Sequence, residues 1–78
     1  MTNKEIEKEL EALEVLIYLA TKILKDAIDL QAIAYKMGDE IRIAKLEEAI
    51  EVFENRLYMH TKRRDELFSK LLGENENE

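Results

Sequence analysis

Apolar residues recur along this chain in steps that alternate between four and three. The first half carries Ile6, Leu10, Leu13, Ile17, Ala20, Leu24, Ala27, Gln31 and Ala34 in that rhythm. The second half carries Ile43, Leu46, Ile50, Phe53, Leu57, His60, Arg64, Leu67 and Leu71. This spacing places one stripe along one side of an α-helix, and it is the seam pattern of a coiled coil. Proline is absent and glycine occurs only at Gly38 and Gly73, so two long helices are predicted: about Asn3–Met37 and about Asp39–Leu72. Glycine suits the position just past a helix end because it accepts a left-handed backbone at little cost. Thr2 with Glu5, or Asn3, can cap the first helix, and Asp39 the second. Lys36 and Lys70 suit the negative ends of the two helix dipoles. Residues 74–78, Glu-Asn-Glu-Asn-Glu, read as a disordered acidic tail, leaving residues 1–73 as one hairpin domain.

Folding the chain back at Gly38 pairs the two seams in order, and the residue numbers of each pair sum to 77. The layers run from Ala34/Ile43 at the bend, through Ala27/Ile50 and Ala20/Leu57, to Leu10/Leu67 and Ile6/Leu71 at the termini. Each of the three alanines faces a large residue, as interdigitated layers require. The expected fold is therefore all-α: an antiparallel two-helix hairpin with coiled-coil packing and helices roughly 50 Å long.

A second stripe lies beside the first seam: Ala12, Leu16, Leu19, Ile23, Asp26, Leu30, Ile33 and Met37. A lone hairpin would leave this surface in water, and contiguous exposed apolar surface marks an association face. Leu16, Leu19, Ile23, Leu30, Ile33 and Met37 are accordingly the expected oligomer interface, with a homodimeric four-helix bundle as the simplest product. Length supports the same expectation. A chain of 78 residues buries a modest share of its surface by itself, so a partner is a natural source of further stability.

Charge is uneven. The formal net charge is −6, yet residues 55–72 hold five basic and two acidic side chains, while residues 38–54 hold two basic and six acidic. Pairing of the basic end of helix 2 with the acidic start of helix 1 is expected, with Arg63 near Glu14 and Lys70 near Glu7. A more specific reading concerns Arg56, Tyr58, His60, Arg63 and Arg64 as an anion-binding cluster. Arg56, His60 and Arg63 stand at i, i+4 and i+7 and share a helix face. Arginine forks suit phosphate, and Tyr58 could stack on a base. The competing reading is architectural: His60 and Arg64 occupy seam positions and set register, with Arg64 reaching towards Glu14. The net acidity argues against a broad nucleic-acid surface, which needs a larger basic footprint. Gln31, also in the seam, is expected to set register.

Cysteine is absent, so there is no disulfide, thiolate metal site or thiol nucleophile. His60 is the only histidine and its neighbours are cations, which disfavours a metal. Thr61 and Ser69 do not stand at triad spacing from it. The acidic run Glu47, Glu48, Glu51 and Glu54 faces Asp26 and Asp29, but di-metal bundles need Glu-x-x-His, and this run reads as a solvated face beside Lys22, Lys25 and Lys45. No catalytic residues, metal or cofactor are expected. The longest apolar run, Val15–Ala20, is far too short to span a bilayer, and the N-terminus lacks the layout of a signal peptide, so a cytoplasmic protein is expected.

These features suit a non-enzymatic interaction or regulatory module that self-associates and binds a protein partner. Nucleotide or RNA binding through the basic cluster is the alternative. In shape the layout resembles the dimeric helical-hairpin modulator of plasmid copy number, which binds paired RNA loops, and small phage hairpins that oligomerise to sequester nucleotide signals. The resemblance implies a homo-oligomer with a nucleic-acid or nucleotide ligand, although the basic residues here lie on a different helix from the one used by the plasmid family. A designed bundle is a third reading, suggested by the regular layers and opposed by Met59-His60-Thr61 and by Arg64 in a seam.

Overall fold

The computed structural model describes residues 1–76, with side chains through Gly73. Two helices make up the fold: α1, Asn3–Met37, and α2, Glu40–Glu76. They pack antiparallel as an all-α hairpin measuring 60 × 14 × 14 Å.

Local sequence explains the bend. Gly38 adopts φ 67 and ψ 25, the left-handed conformation that a side chain with a Cβ resists. Its N–H donates to the Tyr35 carbonyl at 3.2 Å, and the Asp39 N–H donates to the Ala34 carbonyl at 3.0 Å. Together these form a Schellman termination, which satisfies the last carbonyls of α1. Asp39 then caps α2, its Oδ1 accepting from the Arg42 N–H at 3.1 Å. At the chain start, the Thr2 hydroxyl accepts from the Glu5 N–H at 3.2 Å.

Packing follows the seam. In α1, Ile6, Leu10, Leu13, Ala20, Ala27 and Ala34 are buried, and Ile17, Leu24 and Gln31 are half-buried. In α2, Leu67 is buried, and the other eight seam residues, Ile43 through Leu71, are half-buried. The tightest cluster sits at the termini, where Leu67 and Leu71 pack against Ile6, Leu10 and Leu13. The three alanines are almost sealed because each lies under a larger residue opposite it.

One boundary differs from the sequence expectation. α2 does not stop at residue 72 but runs through Gly73 to Glu76, and Gly38 is the only described residue with positive φ. At Gly38 the left-handed turn is held by the two Schellman hydrogen bonds and followed at once by the Asp39 cap of α2; Gly73 instead stays helical, which costs a glycine only about 1 kcal/mol. Three residues of the expected acidic tail therefore belong to α2 as backbone, and residues 77 and 78 lie outside the described residues. Lys70 consequently sits well before the helix end, and the last turn of α2 carries no basic residue.

Two helices cannot cover one another fully. The chain exposes 6108 Å², against about 4,900 Å² for a compact monomer of 9.2 kDa. Among the described residues, no helix is long and apolar enough to cross a membrane.

Candidate functional site

The two edges of the hairpin differ in chemistry. The heptad places Glu9, Leu16, Ile23, Leu30 and Met37 of α1 along one edge, facing Arg42, Ala49, Arg56, Arg63 and Lys70 of α2. The other edge carries Glu7, Glu14, Thr21, Ile28 and Tyr35, facing Glu40, Glu47, Glu54, Thr61 and Phe68. One edge is thus apolar and basic, the other acidic.

The first edge holds the expected interface. Leu16, Leu19, Ile23, Leu30, Ile33 and Met37 are all exposed, from 43% for Leu16 and Ile23 to 67% for Met37. Val52 and Met59 of α2 are exposed as well. A cleft of about 200 Å³ opens within this surface, lined by Leu16, Leu19, Ala20, Ile23, Phe53, Arg56 and His60. Its walls are apolar and its rim carries one cation and the single imidazole.

The expected basic cluster is split. Arg56 and His60 meet at the cleft, as their i, i+4 spacing implies. The Arg56 guanidinium stands 5.1 Å above the Phe53 ring, a cation–π contact, and makes no ion pair among the described residues. Arg63 is committed elsewhere: its Nε donates to Glu9 Oε1 at 2.9 Å and its Nη2 to Glu9 Oε2 at 3.1 Å, with Glu66 3.6 Å from Nη1. Tyr58 is 64% exposed and does not line the cleft.

Arg64 sits in the seam opposite Leu13, and its Nε is buried without a hydrogen-bond partner. Asp65 Oδ1 lies 3.5 Å away, too long and too poorly aligned for a hydrogen bond because adjacent helical residues do not face one another. Arg64 thus carries the desolvation cost of a seam position with little return.

Two expected ion pairs are corrected. Arg63 pairs with Glu9 rather than Glu14, and Lys70 acts on Glu9 rather than Glu7. The sum of 77 holds for seam residues but not for those beside them. Glu9, Arg63 and Lys70 each precede a seam residue and share an edge, whereas Glu7 and Glu14 follow one and lie on the opposite edge. The hydrogen bond from Arg63 lowers the Glu9 carboxyl pKa, helped by the charges of Arg63 and Lys70. The same bond raises Arg63. Glu9 and Phe53 were not foreseen as neighbours of the candidate residues; edge position was the available signal for Glu9.

Glu47, Glu48, Glu51 and Glu54 are exposed, and no group of three or more metal-ligating side chains forms among the described residues. Compared with known proteins, the chain matches no family model, no curated protein and no solved structure.

Proposed function

We propose that this protein is a non-enzymatic, cytoplasmic interaction module that self-associates through the exposed stripe of α1 and offers its acidic edge to a macromolecular partner. One observation carries the reading. Six large apolar residues on one helix, Leu16 to Met37, remain exposed after the seam has been filled. Scattered surface leucines need no explanation, but a periodic stripe of this length does. Covering it with a second hairpin yields a four-helix bundle, whose core joins the seam to the stripe. The opposite edge, with Glu7, Glu14, Glu40, Glu47 and Glu54, remains available to a basic surface of a regulatory partner. The test is solution mass with and without Leu19→Glu and Ile23→Glu. The reading requires an oligomer that the double variant abolishes.

A second reading, a small-anion or nucleotide binder, draws on Arg56 and His60 at the cleft. Three of its expected residues fall outside the cleft: Arg63 is held by Glu9, Arg64 lies in the seam, and Tyr58 does not line the cleft. Thermal shift across a nucleotide panel tests it, and a flat response removes it.

A further inference from the structure

The stripe on α1 also carries information about orientation. It reads Ala12, Leu16, Leu19, Ile23, Asp26, Leu30, Ile33, Met37, with steps of four and three alternating throughout. Reversed, the list superimposes on itself. We infer that a second copy docks antiparallel, α1 against α1, about a two-fold axis between Ile23 and Asp26, so that Leu19 of each copy packs on Leu30 of the other and Lys22 of each reaches Asp26 and Asp29 of the other. The inference rests on the reading that this stripe is covered by another copy of the chain.

Register follows from overlap. When paired residue numbers sum to 49, all eight stripe positions find partners: Ala12 with Met37, Leu16 with Ile33, Leu19 with Leu30, and Ile23 with Asp26. Sliding by one heptad either way strands two residues in water, Ile33 and Met37 in one direction and Ala12 and Leu16 in the other. The face also has a natural boundary, because the Glu9–Arg63 pair closes this edge just beyond Ala12.

Direction follows from charge. Asp26 is the one charged residue within the stripe. A parallel pair would set it level with Asp26 of the other copy, placing two carboxylates together in a drying interface. The antiparallel pair sets it opposite Ile23. In that arrangement Lys22 of the other copy stands level with residue 27, roughly 1.5 Å along the axis from Asp26 and about 3 Å from Asp29. Lys22, Asp26 and Asp29 are all exposed in the single hairpin and enter no ion pair among the described residues, so the complementary charges are available to a second copy.

The chain has no cysteine, which makes the arrangement directly readable by cross-linking. Leu19→Cys and Leu30→Cys are prepared separately, then refolded singly and as a mixture under mild oxidation. A disulfide joining position 19 of one variant to position 30 of the other should form in the mixture. Each variant alone should stay reduced, since its two thiols would lie roughly 16 Å apart along the axis, beyond disulfide reach. Self-cross-linking of either variant alone would establish a parallel pair and overturn the inference. If the parent protein sediments as a dimer and no cross-link forms in any sample, the register is overturned. A monomeric parent would instead remove the self-association reading beneath it. Because either substitution shortens a side chain within the stripe, spin-labelled Lys36→Cys, off the stripe, gives an independent readout. The antiparallel pair separates the two labels by roughly 35 Å along the axis, whereas the parallel pair sets them level.

Discussion

Arg63 grips Glu9 across the hairpin through its Nε and Nη2, which donate at 2.9 and 3.1 Å, joining residues 54 positions apart in sequence. Both side chains are partly exposed, so the pair adds little to stability near neutral pH. Its value lies in geometry: a forked pair tolerates one register, and a slip by a heptad breaks it.

The pair predicts a specific acid response. Because Arg63 lowers the Glu9 pKa, its stabilisation is present above the ordinary carboxylate range and is lost as pH falls through the lowered value. Glu9→Gln should flatten the acid limb of a plot of melting temperature against pH. High salt should reduce the difference from the parent. An acid limb unchanged by the substitution would show that the pair contributes nothing.

At the bend, Gly38→Ala should cost about 1–2 kcal/mol, the penalty of a left-handed residue with a Cβ. No atom beyond the adjoining residues lies within 4 Å of the position that the new carbon would occupy, so the loss is one of backbone conformation. Gly38→Asn should cost less, because asparagine tolerates this region. Equal losses for the two variants in chemical denaturation would contradict this account.

The alanine layers offer a sharper contrast. Ala34 is 1% exposed opposite Ile43, and Ala34→Leu should destabilise by about 1–3 kcal/mol through overpacking. Ala32→Leu, two residues away on the exposed side, should be nearly neutral. At the other end, Leu67→Ala should cost about 2–5 kcal/mol, since Leu67 is wholly buried. Urea denaturation of the three variants checks the order.

Arg64 predicts a gain. Its buried, unpartnered Nε carries a desolvation cost, and replacement by Leu would remove that cost and extend the apolar seam past Leu13. Arg64→Leu should raise stability by roughly 1–3 kcal/mol, read as a shift in the urea midpoint at constant slope. A loss of stability would mean that Arg64 has a partner in the assembled protein.

The seam was legible because its information is one-dimensional. Steps of four and three name the residues, Gly38 names the bend, and antiparallel geometry then pairs Ala34 with Ile43 and Ile6 with Leu71 without further input. The edges were not, because side matters there as well as height. By level alone Glu14 is opposite Arg63 and Glu9 stands about 7.5 Å along the axis from it, yet Glu9 is the one that shares its edge. Arg56 and His60 were legible as a pair from their spacing. That Leu16, Leu19 and Ile23 would border the same cleft depends on how the two helices rotate about the seam. The end of α2 was not legible, because glycine ends a helix only where the chain turns left-handed: Gly38 does so and is followed by a capping Asp39, whereas Gly73 keeps helical backbone and α2 runs to Glu76.

The central claim is that one copy of this hairpin is half of a structure. Sedimentation equilibrium across a range of concentrations tests it most directly. The account predicts a mass of twice the 9.2 kDa chain, falling to that of a single chain when Leu19 and Ile23 are both changed to Glu. A parent protein that sediments as one 9.2 kDa chain at every concentration, and melts at a temperature independent of concentration, would contradict it.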